Sequence, residues 1–276
     1  MRLAMLIRRE APDIVHAQAN KAVDMLGRIR AFVPGYRVGT LHSCKKTLGM
    51  YARMQTVIGV SRSVLEGVSH LDARVIYNGI EPYAGILYDK SRLAAEYRLD
   101  PALPIAVAVG RLVGVKGFRD LISAWPAGKG QLLIIGDGPE RESLNILINH
   151  LNLQQKIVLT GHRSDARGLM KGADLLLVSS YREGFNYTVA EALTISVPVL
   201  STQVPVAQEI LPAPYLVPVH NVPALNTALN RVLGDLCAAR VDQQALFEWA
   251  RMAFTIDHMV NQTVALYRER LEWNAT

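Results

Sequence analysis

Cysteine is nearly missing from this chain: its 276 residues include two, Cys44 and Cys237. Their separation fits neither a metal-ligand spacing nor a disulfide framework, which excludes a stapled extracellular scaffold and favours a reducing compartment. Long hydrophobic runs are missing too. Every apolar stretch is short enough to be a strand or one face of a helix, so no membrane-spanning helix is expected. The opening MRLAMLIRRE carries charge on both sides of a five-residue apolar run, too short for a secretory leader. It reads as a helix that has lost whatever preceded it. There is no internal repeat and no low-complexity segment. Acidic residues are scarce at the start, with three in residues 1–53 against ten Lys and Arg. That stretch is therefore +7 while the formal total is +6. A basic first fifth suits an anionic acceptor, a membrane surface or nucleic acid, and a solvated face is the plain alternative.

What remains is globular: 50% hydrophobic and 20% charged residues, enough for one large domain or two small ones. Short apolar strands alternate with helical patterns. The strands are expected at Asp13–His16, Tyr36–Leu41, Thr56–Val60, Val75–Tyr77, Ile105–Val109, Gln131–Ile135, Ile157–Thr160, Leu175–Ser179, Val199–Ser201 and Tyr215–Val217. Helices are expected at Phe118–Trp125, Glu140–Leu151, Ala166–Lys171 and Tyr187–Thr194. This alternation predicts an α/β fold with parallel sheets covered on both faces. Asn78-Gly79, Glu81-Pro82 and Asp100-Pro101 mark a boundary around residues 78–104, with a polar helix at Lys90–Arg98 between them. Regular βα units follow from Pro104. Residues 1–77 hold about three strands, few for an independent α/β domain.

In such sheets ligands bind beyond the carboxyl ends of the strands, so the residues after each strand deserve the closest reading. After Ile105–Val109 comes Gly110-Arg111-Leu112-Val113-Gly114-Val115-Lys116-Gly117. Two cations on a glycine-bearing strand-to-helix turn can clamp a diphosphate, since glycine lets amides approach the oxygens and the next helix offers its positive end. An ordinary basic loop is the alternative; a Walker A loop is excluded by spacing. Gly136-Asp137-Gly138-Pro139-Glu140 follows the next strand and is either a tight structural turn or a nucleotide-lining loop. After Leu175–Ser179, Glu183 falls in a loop and Glu191 on the helix beyond it. A loop carboxylate can accept from sugar hydroxyls and a helix carboxylate can grip a ribose diol, though either could equally be a solvent-facing Glu.

Together the strand-Gly-Arg-x4-Lys-Gly segment, Ile134-Ile-Gly-Asp-Gly-Pro-Glu140 and Glu183-Gly-Phe-x5-Glu191-Ala resemble family-4 retaining glycosyltransferases of the GT-B fold, the glycosyl transferase group 1 proteins. Asp13-Ile-Val-His16-Ala, Thr40-Leu-His42, Val60-Ser61 and Val75-Ile-Tyr-Asn78-Gly79 match in order, so the resemblance covers nearly the whole chain. It implies two Rossmann-like domains, the N-terminal one incomplete. Residues 1–80 would be the acceptor-side domain, 81–103 a linker and connecting helix, 104–245 the nucleotide-sugar domain, and 246–276 helices packing back toward the N-terminal domain. Arg111 and Lys116 would hold the diphosphate and stabilise the leaving nucleotide. Glu183 would contact the donor sugar near the reacting carbon, and Glu191 would anchor ribose. The amides of Gly184, Phe185 and Asn186 would face sugar or phosphate, with Gly110, Gly136 and Gly138 lining the donor. His42 would reach the donor sugar from the N-terminal side, His162 would line the base pocket, and His16 is a weaker candidate.

The resemblance implies transfer with retention, no cofactor and no metal, and the chain has no Asp-x-Asp motif. A UDP-sugar is the expected donor substrate. The expected acceptor is a glycan or glycolipid of a bacterial envelope polysaccharide or lipopolysaccharide, met in the cytoplasm at the inner membrane face. Nucleic acid is not an expected partner, because residues 1–53 carry no helix-turn-helix, zinc or base-stacking signature. The alternative is a nucleotide-sugar-binding protein or partner subunit without independent catalysis. Relatives carry further βα units before the Pro12-Asp-Ile-Val-His16 strand, including a glycine-rich loop. A truncated start is therefore expected, along with a partner chain or helix covering the open sheet edge. Three positions depart from the family pattern. Gln18 stands where a second histidine is common, Ser196-Val197 replaces a glycine before Pro198, and Gln203-Val204-Pro205-Val206-Ala207 replaces a glycine pair before Glu209.

Overall fold

A computed structural model describes residues 2–43, 48–68, 71–126 and 128–275. Cys44, Lys45 and Lys46 lie outside the described residues. In chain order the first elements are α1 (Arg2–Glu10), β1 (Ile14–Gln18), α2 (Ala19–Ile29), β2 (Tyr36–Leu41), β3 (Thr56–Gly59), α3 (Arg62–Leu65) and β4 (Ala73–Val75). Then come α4 (Lys90–Tyr97), β5 (Ile105–Val109), α5 (Phe118–Ser123), β6 (Gln131–Ile135), α6 (Arg141–His150), β7 (Ile157–Gly161), α7 (Ala166–Lys171), β8 (Leu175–Val178) and α8 (Tyr187–Thr194). The chain ends with β9 (Val199–Thr202), α9 (Ala207–Ile210), β10 (Leu216–Val217), α10 (Val222–Gly234), α11 (Leu236–Asp242), α12 (Gln244–Ala253) and α13 (Ile256–Ala275).

The elements form two compact units: Met1–Gly79 with Glu183–Phe185 and Ala253–Thr276, and Ile80–Arg182 with Asn186–Met252. The expected linker, with α4, thus belongs to the second unit. Among the described residues the first unit holds four strands, one near each of the four segments expected before Asn78, parallel and in chain order β1-β2-β3-β4. Its β4 runs earlier than Val75–Tyr77 because β3 is only four residues long. Val57, Ile58 and Gly59 pair with Ala73, Arg74 and Val75, and the ladder then ends. Val38, Ile58, Ile76 and Leu266 form a buried cluster against which Met259 and Tyr267 of α13 pack.

The second unit is a six-stranded parallel sheet in the order β10-β9-β8-β5-β6-β7. Its central strands are apolar but for Gln131 at the start of β6, and β6 and β8 are buried at every position, as a sheet covered on both faces requires. The buried faces join Leu121, Ile122, Leu132, Ile134, Leu175 and Leu177 into one core. Strand order reverses between β5 and β8, and in sheets of this kind the crevice beyond the carboxyl ends of the strands near such a switch point is where ligands bind.

The loops around the crevice are tied backbone to backbone. Leu112 N–H donates to the Asp137 carbonyl at 2.9 Å, and Tyr181 N–H donates to Val115 at 2.8 Å. Ser179 Oγ donates to the Lys116 carbonyl at 2.8 Å. Two glycines make this closeness possible. Gly117 has φ +64°, and a Cβ there would lie 2.1 Å from the Ser179 carbonyl oxygen. At Gly136, φ +147°, a Cβ would lie 1.9 Å from the Gly110 oxygen.

Candidate functional site

In the second unit a cavity of about 450 Å³ opens at the strand ends, lined among others by Gly110, Arg111, Gly136, Asp137, His162 and Arg163. Four of the sequence candidates thus meet in one place, because the turns after β5, β6 and β7 converge there. Among the described residues the Arg111 side chain has no hydrogen-bond or ion-pair partner, so its charge is available to an anion. Lys116 folds back over the same turn: a Cβ on Gly110 would lie 3.2 Å from Lys116 Cε. Gly138 does not line this cavity, and its amide donates to the Asp137 carboxylate at 2.7 Å.

Arg163 adds less charge than its position suggests. Its guanidinium donates to Asp165 at 2.8 Å, to Glu96 at 2.5 Å and to Tyr97 at 2.8 Å. The hydrogen bonds from Arg163 hold the Asp165 carboxyl down to about 2. This group is a closed structural network beside the cavity.

Glu191 sits one turn before the end of α8 with 23% of its side chain exposed. Burial raises its carboxyl above the usual range, and the neighbouring Arg167 offsets that rise only in part. Arg167 Nε lies 3.1 Å from Glu191 Oε1. Asn186 starts α8: its side-chain oxygen accepts from the Val189 amide at 3.4 Å and from the Thr188 hydroxyl at 2.7 Å. The Asn186 side-chain nitrogen is buried without a hydrogen-bond partner in the structure.

Glu183, Gly184 and Phe185 group with the first unit. There a Cβ on Gly184 would lie 2.0 Å from the His42 carbonyl oxygen, and Ser61 Oγ donates to the Gly184 carbonyl at 3.2 Å. The Phe185 ring packs edge-on against Phe254 at 5.8 Å and tilted against Tyr77 at 6.4 Å. Phe185 therefore anchors its loop through an aromatic cluster that no sequence motif announced.

His42 and His16 share a second cavity in the first unit, about 310 Å³, with Gln18, Thr40, Asn78 and Tyr267. His42 Nε2 is 2.9 Å from Gln18 Oε1, and Gln18 Nε2 is 3.2 Å from His16 Nε2. His16 also lies 2.6 Å from Thr40 Oγ1 and 2.5 Å from Tyr267 OH. Burial, helped by the neighbouring His42, pushes His16 down to about 4, and burial lowers His42 too. Both rings are therefore neutral acceptors and donors at neutral pH rather than cations.

Sequence reading missed Arg167, Tyr267 and the linking role of Gln18, because each acts through a residue far away in the chain. Asp137 lay inside the quoted glycine loop and could have been singled out. Among the described residues, no cluster of three or more His, Cys, Asp or Glu is placed to hold a metal. No helix among them is long and apolar enough to cross a membrane.

Comparison with known proteins bears on this geometry. The chain is 26% identical over 209 residues to the lipopolysaccharide core biosynthesis glycosyltransferase LpsE of Rhizobium meliloti (strain 1021), covering 74% of this chain and 59% of LpsE. It is 27% identical over 233 residues to the N-acetyl-alpha-D-glucosaminyl L-malate synthase of Bacillus anthracis, covering 74% and 60%. The chain thus spans about three-fifths of the length of these relatives. Among solved structures, Anabaena HepE in complex with UDP superposes with a TM-score of 0.85 at 19% identity, covering 97% of this chain and 81% of that one. The expected GT-B type of α/β fold is borne out by such neighbours and by the two parallel sheets. The family profile of glycosyl transferases group 1 matches residues 89–244, more than half of the chain, and the protein belongs to that family.

Proposed function

We propose that this protein binds a nucleoside diphosphate sugar at the carboxyl ends of β5, β6 and β7 and transfers the sugar, with retention, to an envelope glycan or glycolipid. The observation that carries the reading is the 450 Å³ cavity, where an unpaired Arg111 faces the glycine turns of two neighbouring strands. Arg111 and Lys116 neutralise the diphosphate and the charge that grows on it as the glycosidic bond breaks. Glu191 accepts from the ribose hydroxyls, and Glu183 and His42 contact the sugar. Retention requires the acceptor to enter on the face the nucleotide leaves. UDP is favoured as the carrier, since HepE was solved with UDP and UDP-glucose. The likeness to LpsE, a lipopolysaccharide core biosynthesis glycosyltransferase, supports an envelope glycan acceptor. The basic first fifth of the chain suits the cytoplasmic face of an anionic membrane.

The test is nucleotide release from UDP-, GDP- and ADP-sugars, with and without membrane glycolipid extract as acceptor. Transfer with one donor, lost in Arg111→Ala, is expected. Nucleotide binding without release or transfer under any condition would instead identify a donor-binding subunit.

A further inference from the structure

The Glu191 carboxylate is held by a residue that is part of neither the diphosphate clamp nor the helix carrying it. Arg167, on α7, puts Nε 3.1 Å from Glu191 Oε1, with side-chain exposures of 17% and 23%. The contact is an ion pair without an aligned hydrogen bond, for Arg167 Nε is buried and has no hydrogen-bond acceptor. Such a pair fixes where the carboxylate sits while leaving lone pairs on both oxygens for a diol.

Arg167 is itself fixed from the other side. Its Nη1 donates to the Glu81 carbonyl at 2.8 Å, and its guanidinium lies 5.9 Å from the Tyr83 ring centroid. Residues 81–89 run as a strap across α7. Tyr83 OH donates to the Ile86 carbonyl at 3.2 Å, and the Tyr88 amide donates to the Gly168 carbonyl at 3.3 Å. A Cβ on Gly168 would lie 2.0 Å from the Ile86 oxygen, so only glycine lets the strap lie this close. The guanidinium is thus pinned between the strap and α8, with its charge directed at one carboxylate.

We propose that Arg167 is a positioning residue that sets the Glu191 carboxylate for the two ribose hydroxyls of a nucleoside diphosphate. The inference rests on the reading of Glu191 as the ribose anchor. A carboxylate left alone on α8 would sample several rotamers and, being pushed up by burial, would protonate more readily. Arg167 removes both losses. It touches no reacting atom, and its effect is confined to recognition of the ribose.

Ribose against deoxyribose is therefore the readout. UDP, GDP and ADP are titrated calorimetrically against the full chain, and the tightest binder is compared with its 2′-deoxy counterpart. The proteins are the native chain, Glu191→Gln, Arg167→Ala and Arg167→Lys. The native chain is expected to prefer the ribonucleotide by about tenfold. Arg167→Ala should lose most of that preference, weakening the ribonucleotide about tenfold while the deoxynucleotide stays within about twofold. Arg167→Lys should recover part of the preference. The ribonucleotide affinity of Arg167→Ala should also fall more steeply toward acid pH than that of the native chain. Two results overturn the role of Arg167 alone: preference lost in Glu191→Gln but kept in Arg167→Ala, or equal weakening of both nucleotides in Arg167→Ala and Arg167→Lys. Absence of binding by the native chain, or a preference unaffected by Glu191→Gln, would overturn the ribose-anchor reading as well.

Discussion

Lys116 and Glu191 serve different stages of the proposed reaction, and single substitutions separate them. Lys116 has its stem over Gly110 at the diphosphate turn. Charge there grows as the nucleotide leaves, so Lys116→Ala should lower turnover by about 10²-fold while donor affinity changes much less. On the proposed reading of Glu191 as the ribose anchor, Glu191→Ala removes two hydrogen bonds made in ground state and transition state alike. Donor affinity should fall by about 2 kcal/mol with turnover at saturation little changed. Steady-state kinetics against the best donor checks both, and a uniform effect on KM and kcat in both variants would refute the division. Histidine 16 offers a test through stability. Its folded pKa of about 4 lies below the 6.5 of an unfolded histidine. The unfolded chain therefore binds more protons between those values, and stability must fall as pH drops from about 6.5 toward 4. With partial exposure screening the effect, the loss should be about 1–2 kcal/mol, and His16→Gln should be less acid-sensitive in urea melts at pH 7 and pH 5. The placement of Arg111 at a strand-end cavity was legible because it directly follows an apolar strand and a glycine. Arg167 and Tyr267 were not, since nothing near them in sequence reveals a partner; Tyr267 meets His16 across 251 positions.

At the scale of elements, the crevice depends on loops that touch through their backbones. Gly117 ends the diphosphate turn in the left-handed region, 64° in φ, against the Ser179 carbonyl. Gly117→Ala would add about 1–2 kcal/mol of backbone strain and a clash that only a loop shift relieves. The variant should unfold at lower urea and bind nucleoside diphosphates more weakly than an Ala substitution at exposed Gly128, where a Cβ meets nothing within 4 Å. Equal urea midpoints for the two would remove the turn from the site. The strands on either side of this turn and its helix were readable to the residue: β5 is a continuous apolar run, and β6 is one after Gln131, each between clear breakers. The end of β4 was misread, because Ile76 is as apolar as a strand residue and only the short neighbour β3 decides where pairing stops. Pattern predicts what a segment can do; its neighbour's length decides how far it does so.

At the scale of the whole molecule, fold and family were legible because alternating βα units and three loop motifs agree with each other. The chemistry of the acceptor side is less so, and charge is the property that bears on it. Residues 1–53 carry +7, whereas the formal charge of the entire chain is +6. Helix α1 concentrates the feature. Arg2, Arg8 and Arg9 share its exposed surface with Leu3, Met5 and Leu6, while Ile7 is buried. Met5 is 66% exposed, an unusual position for a large apolar side chain flanked by cations. Arg9 is partly offset by Glu10 at 2.7 Å, so Arg2 and Arg8 dominate. Each cation near an anionic leaflet is worth about 1 kcal/mol, and apolar side chains entering the interface add to it. The protein should sediment with vesicles of phosphatidylcholine and phosphatidylglycerol, and not with phosphatidylcholine alone. Binding should weaken at high salt, because exposed charges are screened within about 10 Å at 0.1 M. Arg2→Glu with Arg8→Glu should lower partitioning by about tenfold or more, whereas Met5→Ser should lower it without changing its salt dependence. Unchanged partitioning in the double variant would detach the basic segment from membrane binding. Binding to neither vesicle would leave the acceptor to be sought among free glycans.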